Sequence, residues 1–244
     1  MQLIARGLGW ARALWPDADG LAMTEFALGA PLLMVLGAYG VEVANLAITN
    51  MRISQYALQI ADNASRIGVN NGLASFQVAE TDINDVMQGL RMFGAGSKLT
   101  QFGRVTLSSL ENVKQNWDAA AVQRIHWQRC IGVRGKNADG TVETGYDSSY
   151  GTTSTAAGTV ADAAHQGTDK PAGIGDAASL VNAPANSGVM FVEINYEYQP
   201  LFGTLFVNKT KLHYVASAII RDKRDFSQIM VNSGVAATCN LYNL

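Results

Sequence analysis

An excess of charge of either sign is the first thing this chain lacks. Eighteen lysines and arginines stand against twenty aspartates and glutamates, a net charge of -2. There is therefore no basic surplus from which to build the electrostatic footprint of a nucleic-acid binder. The acidic surplus is equally slight and 48% of the residues are hydrophobic, which excludes a chain disordered from end to end. Histidine is sparse, with His126, His165 and His213 scattered along the sequence. No G-x-S-x-G elbow, phosphate-binding loop or H-E-x-x-H pair occurs, so the common marks of serine hydrolases, nucleotide enzymes and zinc peptidases are missing. "HWQRC" sets His126 and Cys130 four apart on an expected strand, where they share a face but stand too far apart to ligate one metal together. "NADGTVETGYD" has carboxylates near a glycine, without the ordered spacing or closing glutamate of a calcium loop. Turn chemistry accounts for Asp139-Gly140. These residues point to no enzyme, no metal and no cofactor.

Cysteine is scarce too. Cys130 and Cys239 are the only two. Two buried free thiols are one reading, since unpaired cysteine is commonly buried. A Cys130–Cys239 disulfide is the other, favoured if the domain is exported to an oxidising compartment. Such a bridge would tie the C-terminal tail to the core and stabilise the fold by roughly 2–4 kcal/mol.

What the chain does have is one apolar run. From Phe26 to Val41, "FALGAPLLMVLGAYGV", no charged residue appears. Glu25 and Glu42 bracket the run seventeen positions apart, about 25 Å on a helix and a little under the roughly 30 Å of a bilayer's hydrocarbon. Both carboxylates can then stand near opposite interfaces, where charge costs far less than at the centre. Pro31 is disfavoured inside a soluble helix but tolerated in a span. A cleaved secretory signal is the competing reading, yet no small-x-small cleavage pattern with a change of character follows the run. Arg6 and Arg12 precede it, diluted by Asp17 and Asp19 and opposed by Arg52 on the far side. The positive-inside tendency accordingly places the N-terminus in the cytoplasm and the larger part outside.

Beyond Glu42 the pattern Val43, Leu46, Ala47, Ile53, Tyr56, Ala57, Ile60, Ala64, Ile67 keeps helical spacing, so a transmembrane and then amphipathic helix is expected over 21–68. A second helix is expected over 81–92 with Thr81 as its N-cap and Gly94 and Gly96 after it. Strand-like runs follow at Arg104, Ala121, Val189 and Lys211. The third alternates clearly, Glu193, Asn195 and Glu197 facing away from Val192, Ile194, Tyr196 and Tyr198, with Phe191 the exception on the polar side. The fold class expected is α+β, a long N-terminal helix followed over 69–244 by an extracytoplasmic domain whose mostly antiparallel sheet packs on helix. Between Gly135 and Gly188, Gly, Ser, Thr, Ala and Asp dominate. This 135–188 stretch reads as a long, flexible surface loop, either a presented binding loop or a tolerated insertion.

The start of the run carries a resemblance. Gly20 followed by "LAMTE", with Glu25 at the fifth place after the glycine, resembles the class III processing signal of type IV pilin-like proteins. "TEFALGAPLLMVLGAYGVEVAN" is similar to the N-terminal segment of the TadE/TadG-like family of the tight-adherence (Tad, Flp) pilus system. There an acid precedes an apolar run containing a proline and another glutamate follows near its end, as Glu25, Pro31 and Glu42 do here. The likeness covers about 20–66 well, and "VEINYEYQPLF" and "ASAIIRD" resemble the sheet more loosely. It implies a minor pilin or pseudopilin-like structural component, held in the bacterial inner membrane with its C-terminal domain periplasmic. Residues 1–20 would be a cytoplasmic leader removed by a prepilin peptidase that recognises Gly20, Leu21 and Glu25. Other Tad pilus subunits would be the partners. Some TadE/TadG-like proteins stay uncleaved, and the alternative is an uncleaved single-pass anchor presenting an adhesion or surface-binding module. For Glu25 itself, a plain first-turn acid favoured by the helix dipole is the non-functional alternative.

Overall fold

The computed structural model describes residues 20–70, 72, 74–137, 139–151 and 153–243. The flanking charges Arg6, Arg12, Asp17 and Asp19, and with them nearly all of the expected leader, lie outside the described residues. The chain divides into two units. One joins the described residues up to Asn45 with Pro200–Asn208; the other joins Leu46–Gln199 with Lys209–Leu244.

Helix α1, Leu21–Ser65, contributes to both units. It is long and apolar enough to cross a membrane. In the first unit its large side chains stand exposed: Phe26, Leu28, Leu33 and Met34 are all at least 70% accessible. Each such side chain forgoes about 1.5–3 kcal/mol relative to burial, so this stretch favours an apolar surrounding that the described residues do not supply. In the second unit the same helix presents Ile53, Ala57, Ile60, Ala61 and Ala64, all buried, at the i, i+3, i+4 spacing of one helical stripe. The helix stops at Ser65, three residues short of the expected Gly68, because Arg224 donates to the carbonyls of Ser65 and Ile67 and so satisfies its open C-terminal end.

Helix α2 runs Glu80–Phe93. Its N-cap is Ala79, not Thr81, and the Ala79 amide donates to Asp82 Oδ2 at 2.9 Å. Thr81 instead accepts from Asn232. Gly94 closes the helix as expected. After the short helix α3, Leu99–Phe102, come β1 Gly103–Val113, β2 Val122–Ile131, β3 Thr168–Asp169, β4 Ser187–Glu197 and β5 Lys211–Ile219. They form one antiparallel sheet in the order β3-β2-β1-β4-β5, so the α+β class and the antiparallel sheet stand as expected. β4, rich in β-branched and aromatic residues, is buried along nearly its whole length, as suits an inner strand.

The two faces of the sheet differ. One carries Val105, Leu107, Val192 and Ile194, paired across β1 and β4 and fully buried. The other carries Arg104, Thr106, Glu193 and Asn195, equally buried. Alternation in β4 therefore does not separate core from water. The stretch expected as a surface excursion between Gly135 and Gly188 covers the second face. Tyr146, Ala157, Ile174 and Ala183 of that stretch are buried. Phe191, the apparent exception, joins Leu110, Ile125, Ile174, Ala183 and Val189 in a core cluster beneath it. Gly167, at φ +83°, passes so close to β2 that a Cβ there would run into the Ile125 carbonyl, which only glycine permits.

Candidate functional site

The residues singled out by sequence sit at three places: the start of α1, the level of Glu42, and the bridge between β2 and the C-terminal tail.

At the start of α1, Gly20 is an exposed turn residue and Leu21 the first helical one. The Thr24 amide donates to the Gly20 carbonyl at 3.1 Å, and the Thr24 hydroxyl to the Leu21 carbonyl at 2.8 Å. Glu25 is exposed and lies just beyond the first turn, which holds no acid. It is thus displaced from where a helix dipole favours a carboxylate most. A Cβ built on Gly20 would meet nothing within 4 Å. Gly20, Leu21 and Glu25 are accordingly accessible together, and the bonds accepted by Gly20 and Leu21 use only their backbone carbonyls. Pro31 lies exposed inside an unbroken helix.

Glu42, expected near an interface, has its carboxylate covered by the protein itself. It is fully buried, under the segment Pro200–Asn208 of its own unit. Its Oε1 accepts from the Leu201 amide at 3.3 Å and its Oε2 from the Phe202 amide at 3.0 Å. One carboxylate thereby spans two consecutive backbone donors, the charge-assisted arrangement that is strongest away from water. Beside it Tyr39 meets Phe206 edge-on at 6.0 Å, and Phe206 meets Phe202 at 5.9 Å. In the sequence the strand-like run that begins at Val189 leads straight into this segment, with no change of pattern before Pro200. The strand ends at Glu197. Pro200 and Gly203 were the signals of a turn.

At the third place Cys130 and Cys239 form a disulfide, with Cα atoms 4.7 Å apart and both thiols used. The tail is held by more than sulfur. Arg104, wholly buried, donates to the carbonyls of Gly132, Cys239 and Leu241 and stacks 4.2 Å from the Tyr242 ring. Tyr242 donates to Asp147 at 2.8 Å. Burial lowers the Arg104 pKa, against the opposing pull of Asp147. A cavity of about 230 Å³ lies beside the bridge, lined by Thr106, Gln128, Asp147 and Thr153 among others.

His126 and Cys130 do not share a face. A register shift between Ser109 and Leu110 leaves His126 as an extra residue on β2, and such a bulge re-aims the side chains beyond it. His126 turns to Glu111, 2.8 Å from Nδ1 to Oε2, beside Val78 and Arg224. Cys130 stays with Thr106, its Sγ 3.3 Å from Oγ1. Buried ion pairs recur: Arg129 with Glu80, and Arg124 with Asp118 at 2.8 Å. Burial raises the Asp118 pKa, but the Arg124 hydrogen bond and the Gln115 amide outweigh it and hold the carboxyl below its ordinary value. Among the described residues no three His, Cys, Asp or Glu side chains gather to hold a metal. These charged pairs read as architecture, each member occupied by another. No family model, curated protein or solved structure matches the chain.

Proposed function

We propose that the chain is a minor pilin or pseudopilin-like structural component of a Tad (Flp) pilus system. It is anchored in the bacterial inner membrane by the first part of α1, its folded domain lies in the periplasm, and it acts as a structural part rather than an enzyme. The sheet packs against the second part of α1, a reading supported by the buried Ile53–Ala64 stripe and the hydrogen bond from Tyr214 to Asn50 at 2.9 Å. The disulfide agrees with an oxidising compartment.

The observation that carries the reading is the accessible Gly20-Leu21 junction opening directly into an apolar, exposed helix, with Glu25 at the fifth place. A prepilin peptidase working at the cytoplasmic face cuts after Gly20 and leaves an α-amino group on Leu21. In an assembly, Glu25 of one subunit pairs with that cation on a neighbour. The pairing lessens the cost of a lone charge at the membrane edge, below the roughly 2.5–3.5 kcal/mol of a helix centre, and sets the axial register between subunits.

Because a methyl group on Gly20 meets no neighbour, Gly20→Ala leaves the fold intact and tests recognition alone. Intact-mass measurement of membrane-extracted protein from cells with a functional prepilin peptidase should find Leu21 as the N-terminus in the wild type. The Gly20→Ala variant should retain the leader. A wild-type protein that keeps its leader in those cells overturns the processing claim and favours the uncleaved anchor.

A further inference from the structure

We propose that the loop Pro200–Asn208 is a second membrane contact, which seats Leu201, Phe202 and Leu205 in the interfacial layer of the leaflet nearer the folded domain, with Glu42 as its clamp. The proposal rests on reading the first part of α1 as a membrane span. It adds to that reading a lipid-facing role for a loop far away in sequence.

Depth is the first argument. From Leu21 to Glu42 the helix rises about 32 Å, close to the hydrocarbon thickness of a bilayer. With Leu21 near one interface, Tyr39 and Glu42 stand near the other. The loop belongs to the same unit as this part of the helix and meets it there, Phe206 against Tyr39 and the Leu201 and Phe202 amides on Glu42. Tyrosine at that level is itself a common interfacial anchor.

Composition is the second argument. Leu205 is 76% exposed, Leu201 58% and Phe202 45%, three large apolar side chains on one nine-residue loop. Phe202 and Phe206 brace each other at its base. Facing water, each loses the stabilisation that burial would give. Facing the acyl-chain and headgroup boundary, each recovers it. The Glu42 clamp is the third argument. Backbone amides entering an apolar layer need partners within the protein, and a buried carboxylate needs donors. Glu42 and the two loop amides meet both needs in one contact, so the loop tip can enter lipid without an open backbone donor at Leu201 or Phe202.

Full-length protein in lipid bilayers tests the loop and the span separately. The native cysteines are bonded to each other, so an environment-sensitive fluorophore can be attached at Leu205→Cys or, in the span, at Leu33→Cys. Lipids carrying nitroxide quenchers at shallow or deep acyl positions then report depth. The expected result is quenching of the Leu205→Cys label by the shallow quencher and of the Leu33→Cys label by the deep one. Adding Glu42→Ala to Leu205→Cys should shift the loop roughly tenfold toward an undocked, unquenched state, the scale of losing charge-assisted hydrogen bonds. Quenching at Leu33→Cys should not change. A quenched Leu33→Cys label with an unquenched Leu205→Cys label overturns the loop proposal and leaves the span standing. If the two Leu205→Cys labels of neighbouring copies self-quench instead, the loop binds protein rather than lipid and the proposal is overturned. An unquenched Leu33→Cys label overturns the span, and the loop proposal with it.

Discussion

The two units of this chain invert each other. The first, built on the early part of α1 and the loop at Pro200–Asn208, exposes leucine, phenylalanine and methionine and buries a glutamate. The second shows a conventional apolar face on its sheet, yet places Arg104, Arg124, Arg129, Glu111, His126 and Glu193 almost wholly out of solvent. Each inversion has its own physical resolution. In the first unit the apolar surface has no cover among the described residues, and under the proposed function the membrane supplies it. In the second each of these six buried groups bonds a partner inside it, a side chain, a carbonyl or a loop amide, although single atoms such as Glu193 Oε2 and Arg124 Nη1 make no hydrogen bond. The lesson is that burial and polarity are set by what surrounds a side chain, which the chain itself supplies for the buried groups of the second unit and, in the first, for Glu42.

The largest expected effect tests that second half of the comparison. Arg129 and Glu80 have 1% and 5% side-chain accessibility and bond each other through two pairs of atoms. Removing one member leaves the other charged and desolvated, which costs about 3–5 kcal/mol, whereas replacing both with well-packed apolar residues of similar volume is close to neutral. Urea unfolding of the full chain in detergent should show Arg129→Ala strongly destabilised. Arg129→Leu combined with Glu80→Met should recover most of the loss. Equal losses for the single and double variants would mean that the pair contributes through packing alone, and that the second unit does not depend on matched ions.

Much of this architecture was legible in the sequence, and the rest was hidden for identifiable reasons. The apolar run, the α+β class and four of the strands follow from periodicity, which is a local property. The end of α1 at Ser65 depends on Arg224, more than 150 residues away, and no local signal carries that. Glu193 and Asn195 looked like solvent-facing positions because polar residues on a strand usually are. Here Ser149 donates to Glu193, and Asn195 donates to the Tyr146 carbonyl, so the Gly- and Ser-rich stretch serves as their solvent. The bulge at His126 altered which side chains share a face, and periodicity of two cannot register one inserted residue. At the candidate site, Gly20, Leu21 and Glu25 were readable because they are contiguous. The Glu42 clamp was not, since it joins positions about 160 apart.

The disulfide gives the next effect in size and asks whether covalent bonding or matched polarity holds the tail of the second unit. The bridge closes 109 residues, and disulfides typically contribute about 2–4 kcal/mol, less than the roughly 4.7 kcal/mol of the chain-entropy model for a loop near 100 residues. Arg104 nevertheless grips two carbonyls of the same tail, Cys239 and Leu241, besides that of Gly132 after β2. Replacing both cysteines with serine should lower stability by that typical amount, measured by urea unfolding. The tail should stay docked, as judged by slow hydrogen exchange at Gly132, whose amide donates to Asn243 at 2.9 Å. Fast exchange there would show that sulfur alone keeps the tail in place. Non-reducing peptide mapping of the wild type should recover Cys130 and Cys239 in one linked pair.

The smallest effect concerns Asp118, and it sharpens the comparison because the first unit has no counterpart among its exposed residues. Its carboxyl has 8% side-chain accessibility beside Arg124, and its pKa is depressed, burial pulling upward and the Arg124 and Gln115 hydrogen bonds winning. A carboxyl whose folded pKa lies below its unfolded one binds fewer protons when folded, so folding gains from its ionisation. That gain is complete above the unfolded value of about 4 and is lost as pH falls through the lower, folded value. The urea midpoint of the full chain should therefore drop below pH 4, and Asp118→Asn should flatten the drop while lowering stability at neutral pH. An unchanged acid slope in Asp118→Asn would assign the acid sensitivity of the second unit to its other carboxylates and leave the Arg124 pair without a part in it.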